Sequence, residues 1–375
     1  MAKLKDVFYL QMGKTPSRNN SDYWSFGKYN WISIADLGTY QKYTKETKEK
    51  ISELAVRDCG MKRVPANTVV MSFKLSLGKT AITKESIYTN EAIMAFIPTG
   101  KFDVLPDYFY YLFSGKDWSK ETNRAVMGST LNKSTLGEVS VIVPSLDEQR
   151  KIAAVLDKVS DLIEKRRQQL DKLDLLIKSK FVEMFGDPQN NEKDWKMRTF
   201  KEICTVRQGL QIPISKRLTQ FEENCYEYIT VAYLHGAKNK EYIKNPKRTV
   251  ICTKDDILMT RTGNTGMVIS NVSGVFHNNF FLIDFDRDKY TKEFLVEYLN
   301  LDWIQAEILK RAGTSTIPDL NHSEFYKILI YEPPKELQNR FGIFVEQTEK
   351  TKEMIKQSLE KLETLKKALM QKYFG

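Results

Sequence analysis

Few side chains can read the edge of a base. Arg and Lys grip guanine, Asn and Gln grip adenine, and Ser, Thr and Lys hold phosphates. In this 375-residue chain such residues recur in short loops. The N-terminal half offers Lys14, Thr15, Ser17 and Arg18 in one run, then Lys74, Lys79, Arg124, Asn132 and Lys133. The C-terminal half offers Arg207, Gln208 and Gln211, Lys216 and Arg217, Arg261, Thr262 and Asn264, and Asn321 with His322. Any one of them is most simply a solvated surface residue. Their grouping in loops, and 58 basic against 48 acidic residues for a net charge of +10, suit a polyanionic partner.

Catalytic constellations fail on inspection. Gly78-Lys79-Thr80 imitates the end of a phosphate loop, but Phe73 stands where that motif needs a first glycine, so a turn between strands is expected. Gly263-Asn264-Thr265-Gly266 lacks the third glycine of a dinucleotide fingerprint. Glu332-Pro333-Pro334-Lys335 is not the Asn/Asp-Pro-Pro-aromatic motif of adenine methyltransferases, and no nuclease carboxylate set is present. Cys59, Cys204, Cys225 and Cys252 lack Cys-x-x-Cys spacing, and with three histidines they form no metal-ligand pattern. A chain without catalytic residues, metal or cofactor of its own is expected. The N-terminus has no apolar signal region and no stretch approaches the roughly 20 apolar residues of a membrane span, so a cytoplasmic, membrane-free protein with reduced thiols is expected.

The elements that must position these loops form a repeat. Between Asp147 and Phe185 there is no Pro or Gly, and Ile152, Leu156, Val159, Ile163, Leu170, Leu173, Ile177 and Met184 trace a heptad seam broken at Arg166 and Lys180. A second run from Ile343 carries Val345, Ile355, Leu359, Leu362, Leu369 and Tyr373 in the same phase. Gln149 and Gln338 follow matching proline-led stretches, and both runs close on Phe-Gly; 338 − 149 and 375 − 186 both give 189, so the copies keep register. The globular parts match more loosely. Ile32-Ser33-Ile34-Ala35 answers Ile229-Thr230-Val231-Ala232, both predicted as strands, and Val70-Met71-Ser72 with Gly78 answers Leu258-Met259-Thr260 with Gly266 as strand and turn. Helices are predicted at Asp107 to Leu112 and Phe294 to Leu299. With 41% hydrophobic residues two packed domains are expected.

Gly128-Ser129-Thr130-Leu131-Asn132-Lys133, the stretch Pro144-Ser145-Leu146-Asp147-Glu148-Gln149 leading into Ile152-Ala153, and the alternation of two unlike domains with two similar helices together resemble the specificity subunits of Type I restriction-modification systems. The resemblance covers nearly the full length. It implies an α+β fold with two tandem mixed α/β target-recognition domains, at 1–146 and 187–335, and two spacer helices, at 147–186 and 336–375, that form an antiparallel intramolecular coiled coil with a pseudo-two-fold repeat. Arg166 and Lys180 would fix the seam's register. The implied partners are double-stranded DNA, two DNA adenine methyltransferase (modification) subunits and ATP-dependent restriction/translocase subunits. S-adenosylmethionine, ATP and Mg would sit on those partners, none on this chain. A helix of about 39 residues spans roughly 58 Å, enough to separate two reading centres by one duplex turn of about 34 Å. The rival readings are a coiled-coil scaffold whose globular ends bind proteins, and a homodimeric transcriptional regulator, disfavoured because one chain already supplies two readers.

Overall fold

The structure, a computed structural model, describes the chain apart from residues 26, 75, 122–130, 235, 237–238 and 314–317. It divides into two compact units, Met1–Arg167 with Gln357–Gly375, and Gln168–Lys356. The two long helices, Leu146–Phe185 and Lys335–Phe374, are 40 residues each, and each unit contains part of both.

The globular frames are the same. In the first unit an antiparallel sheet runs in the order Phe8–Met12, Ile93–Pro98, Val69–Ser72, Thr80–Ile82. In the second the order is Cys204–Gln208, Phe280–Phe285, Ile257–Thr260, Val268–Ile269. Beside it lies a smaller mixed sheet: Glu49–Ile51, Tyr29–Ile32 and Tyr88–Thr89, answered by Tyr242–Lys244, Cys225–Ile229 and Gly274–Phe276. The second unit adds the strand Ile251–Cys252, which the first reduces to a single bridge between Val64 and Ile87. Gly13 and Gly209 end the first strands of the main sheets because a Cβ there would lie 2.2 Å from the carbonyl oxygen of Thr89 or His277, so no side chain fits.

The strands expected at two matched stretches are corrected. Ile32-Ser33-Ile34-Ala35 and Ile229-Thr230-Val231-Ala232 are strands only to Ile32 and Ile229; Ile34–Leu37 and Val231–Leu234 are helical turns. Ser33 Oγ accepts from Asp36 N at 3.1 Å, the Asp36 carboxylate accepts from Ser33 N at 3.0 Å, and Thr230 Oγ1 accepts from Tyr233 N. Local caps outweigh the strand preference of the β-branched residues around them.

Strand, turn and strand follow as predicted at Val69–Ser72 and Ile257–Thr260, and the predicted helices form at Pro106–Gly115 and Lys292–Leu299. The first helix buries Tyr108, Phe109 and Phe113 against the main sheet, with Phe109 edge-on to Phe8 at 4.8 Å. In the second unit Phe181 and Phe185 of the first long helix pack on Phe294 and Phe341. Burying four such rings stabilises that unit by several kcal/mol, at about 1.5 to 3 per side chain.

Gln149 and Gln338 are fully buried and do the same work. Gln149 Nε2 donates to the carbonyls of Asp103 and Pro144, and its Oε1 accepts from Leu105 N. Gln338 Nε2 donates to Lys289 and Pro333, and its Oε1 accepts from Thr291 N. One amide thus satisfies three backbone groups and ties the start of each long helix to the loop before the shorter one.

The helices pair antiparallel inside each unit. In the first, Arg167 pairs with Glu363 at 2.7 Å. In the second, Asp174 pairs with Lys352 at 2.6 Å and Phe181 meets Phe341, so one helix ascends as the other descends. Lys180 does not reach across: it pairs with Glu183 of its own helix at 2.8 Å. Across the helices the Asp174–Lys352 pair has a well-buried lysine.

Candidate nucleic-acid interface

Two loops meet at one end of the main sheet in each unit. The turn leaving the third strand, Phe73 onward or Arg261 onward, is held to the segment before a short helix by a backbone hydrogen bond: Leu131 N to Phe73 O, 3.2 Å, and Leu320 N to Arg261 O, 3.0 Å. That helix is Lys133–Glu138 in one unit and His322–Phe325 in the other. Asn132 and Asn321 are its caps: their Oδ1 atoms accept from Thr135 N at 2.8 Å and Glu324 N at 2.9 Å. Capping uses the amide oxygen of both predicted base-contact residues, whose side chains stay exposed. Gly78 turns the first loop in the left-handed region at φ 82° and donates its N–H to Ser72 O, so Gly78-Lys79-Thr80 is a strand turn, as its failed motif implied.

In the second unit several predicted residues lie on the converging elements. Arg261 Nε and Nη2 donate to the two oxygens of Asp319 at 2.9 and 2.7 Å, and its Nη1 donates to Gln208 Oε1 at 3.4 Å. Gln208 Nε2 donates to the carbonyl of Phe280 at 3.3 Å and to that of Asn278. His322 lies edge-on to Phe281, and burial, then the nearby Arg261 charge, lowers its pKa, so it is neutral at pH 7. Asn264, exposed at φ 63°, and Thr262 complete the turn.

Arg217, Lys216 and Gln211 lie elsewhere, on the loop after Gly209. Arg217 Nε donates to Ile212 O and its Nη1 to Glu241, over the Tyr228 ring, while Lys216 and Gln211 are exposed. Arg207 donates Nη1 to Thr249 O at 3.2 Å.

The first unit divides its candidates too. Arg18 forms a two-pronged pair with Glu49 and stacks 3.7 Å from the Trp24 ring. Thr15 donates to Glu91 and accepts from Asn90, Lys14 Nζ donates to Cys59 O, and Ser17 is exposed beside them. Near the Phe73 turn, Lys74 lies over the Phe73 ring, Lys133 over the Tyr9 ring, and Lys79 is exposed. Arg124 lies outside the described residues.

Sequence reasoning missed Asp319 and Glu49, the carboxylates that hold the two arginines, because a lone acid in a loop has no periodic signature. It also missed Tyr9, half exposed on the outward side of Phe8–Met12, which the alternation of that strand could have revealed. Ile214 and Phe221, both mostly exposed on the second unit's loop, were passed over as apolar. Among the described residues no group of three or more His, Cys, Asp or Glu is placed to hold a metal, and no helix is long and apolar enough to cross a membrane.

One mixed frame occurs twice in the chain, with basic and amide side chains on its loops, so the protein is built from a tandem repeat. A family model for the Type I restriction modification DNA specificity domain matches residues 1–174 and again 192–364, and the chain belongs to that family. It is similar to the specificity subunit of the Type I restriction enzyme MjaIX of Methanocaldococcus jannaschii, 28% identical over 377 residues, covering 92% of this chain and 85% of the relative. The EcoR124I/EcoR124II specificity subunit of Escherichia coli is 28% identical over 184 residues, 47% of this chain and 44% of the relative. Among solved structures, the S subunit of a Type I restriction-modification system from M. genitalium superposes with a TM-score of 0.62 at 15% identity, covering 100% of this chain and 95% of that one. A chain from a structure of Type I complex assembly and conformational transition gives 0.61 at 16%, covering 100% and 96%. These last two bear on the fold alone.

Proposed function

We propose that each unit reads one half of an interrupted DNA site, and that the chain directs two adenine methyltransferase subunits and ATP-dependent restriction subunits to it. Residues 1–146 and 187–335 are the readers in this proposal, and the two long helices are the spacers. Methyl transfer and DNA cleavage, with S-adenosylmethionine, ATP and Mg, belong to those partners; this chain supplies the address. The observation that carries the proposal is one backbone frame with unlike side chains at matched loop positions. Phe73 answers Arg261, Met12 and Gln208 precede the matched glycines, and Lys133 answers His322. A shared frame keeps the pose on a duplex, and unlike side chains change the bases preferred.

The experiment is to express the chain with its methyltransferase in a host without adenine methylation and to map methylated adenines genome-wide. A two-part motif with a fixed unspecified spacer is expected, and it disappears when this chain is omitted. Methylation that persists without the chain, or that follows one uninterrupted motif, would overturn the proposal. A protein-binding scaffold predicts that loop substitutions leave the motif untouched.

A further inference from the structure

We infer that Arg261 contacts a guanine in the half-site read by the second unit, and that Asp319 positions its guanidinium for that contact; this rests on the DNA-reading function proposed above. A guanidinium carries five N–H donors in a fixed plane. Asp319 takes the edge formed by Nε and Nη2, at 2.9 and 2.7 Å, and Gln208 takes one donor of Nη1 at 3.4 Å. One N–H is left on each terminal nitrogen. Two such terminal donors are what O6 and N7 of guanine accept in the major groove.

The backbone beneath the fork is fixed as well. Arg261 N donates to Asn279 O at 2.8 Å, its carbonyl accepts from Leu320 N at 3.0 Å, and Asp319 N donates to Ala312 O at 3.2 Å. Its side chain is 29% accessible, so the fork can be approached while the arm is held. A fork held in place before binding loses less rotamer freedom on docking than a free surface arginine does.

Arg18 and Arg217 are arranged differently. Both terminal nitrogens of Arg18 face the Glu49 carboxylate, which closes the fork. Arg217 has Nη1 on Glu241 and Nε on a backbone carbonyl. In the first unit the position of Arg261 is taken by Phe73, which is fully buried, so a matching guanine contact from that position is absent from the first unit's half-site.

The test uses the complex of this chain with its methyltransferase, mapping methylated sites for the wild type and for Arg261→Lys, Arg261→Ala and Asp319→Asn. The wild-type motif should contain a guanine in one half whose replacement lowers methylation roughly 5- to 150-fold, the range of one two-pronged base contact. Arg261→Lys keeps the charge without the fork, so it should lose that discrimination while still methylating the original site. Asp319→Asn should relax the same position and no other. A merely structural salt bridge would instead lower methylation of all sites together and leave the base preferences as they were; that result, or relaxation at a base other than guanine, overturns the inference while the two-part wild-type motif still supports the proposed function. A wild-type map with no two-part motif overturns both.

Discussion

The two units differ where the shorter helix meets the long ones. In the first unit Tyr111 donates to Asp157 at 2.6 Å and lies 3.3 Å from Ser160; Lys42 pairs with Asp107 at 2.6 Å and with Asp157, and Tyr43 donates to Asp107. The junction is closed by polar side chains that satisfy one another. The backbone groups bound by the buried glutamines, Leu105 N and Thr291 N, set the offset between the helices, since 291 − 105 and 297 − 111 both give 186. Glu297 therefore stands where Tyr111 does. It lines a cavity of about 920 Å³ with Asp174, Lys178, Glu349 and Lys352, and its Oε1 has no hydrogen-bond partner among the described residues. Burial raises its carboxyl to about 6, opposed by Lys178 and reinforced by Asp174. A repeated fold thus retains the backbone tie and lets the side-chain closure diverge.

The backbone tie gives the largest expected effect. Gln149→Ala strands an N–H and two carbonyls in the first unit, and Gln338→Ala strands the matching three in the second. At about 1 to 3 kcal/mol for each buried unsatisfied group, partly relieved by water entering the space, each substitution should cost about 3 kcal/mol. Urea unfolding of the two variants measures it. Costs that differ by more than about 2 kcal/mol would mean that the tie is not shared, whatever the geometry suggests.

The junction itself should separate the units by pH. Glu297 has a folded value of about 6 against an ordinary 4.5, so the folded chain binds its proton more tightly than the unfolded chain does. Folding gains nothing from removing that proton: the contribution is full below pH 4.5 and is lost as pH rises through 6. Glu297→Gln should therefore leave stability unchanged near pH 4 and raise it above pH 6 by on the order of 2 kcal/mol, the linkage for a shift of this size. Tyr111→Phe should instead cost about 1 kcal/mol at either pH, for one hydrogen bond. Melting curves at pH 4 and pH 7.5 decide; a pH-independent Glu297→Gln effect would show that the acid is not held neutral by burial.

Much of this was legible in the sequence, and the reasons divide by distance along the chain. The long helices, their phase and the matched glutamines follow from periodicity and a constant offset, which packing of a repeated element imposes. The turn at Gly78 follows from a missing glycine at position 73. The strands assigned to Ile34-Ala35 and Val231-Ala232 failed because Ser33 and Thr230 cap helical turns there, and a cap of one side chain outweighs a two-residue strand preference. The pairing of Arg261 with Asp319, 58 residues apart, has no local signal, so loops that hold the candidate interface were located without the contacts that orient it. Lys180 shows the limit of periodicity: its place on the seam was legible, but its pairing with Glu183 of its own helix was not.

The caps offer a smaller comparison. Asn132→Ala and Asn321→Ala remove equivalent bonds, to Thr135 N and Glu324 N, and each should cost about 1 kcal/mol. Asn321 Oδ1 also accepts from Ser323 Oγ at 2.5 Å, so its loss should be the greater by a few tenths. Equal or reversed costs in denaturant titrations would break the assignment of both residues as caps of the same kind.

An effect no larger than that of the caps is expected at Arg18, and it sharpens the contrast between the arginines of the two units. Its two terminal nitrogens each give one N–H to Glu49 and Trp24 covers one face, so the donor pair that would grip a base edge is already engaged within the first unit. The pair is about half exposed, with side-chain accessibilities of 53% and 41%, where an ion pair contributes roughly 0.2 to 1 kcal/mol and the ring stack a comparable amount. Arg18→Ala should therefore lower stability by about 1 kcal/mol and leave every base preference of the methylated motif in place. Glu49→Gln should do no more than that, because it weakens the same pair from the other side. If mapping of methylated sites for Arg18→Ala instead shows a relaxed base in one half, Arg18 leaves Glu49 when DNA arrives, and a closed fork in the free chain is no guide to which arginines read.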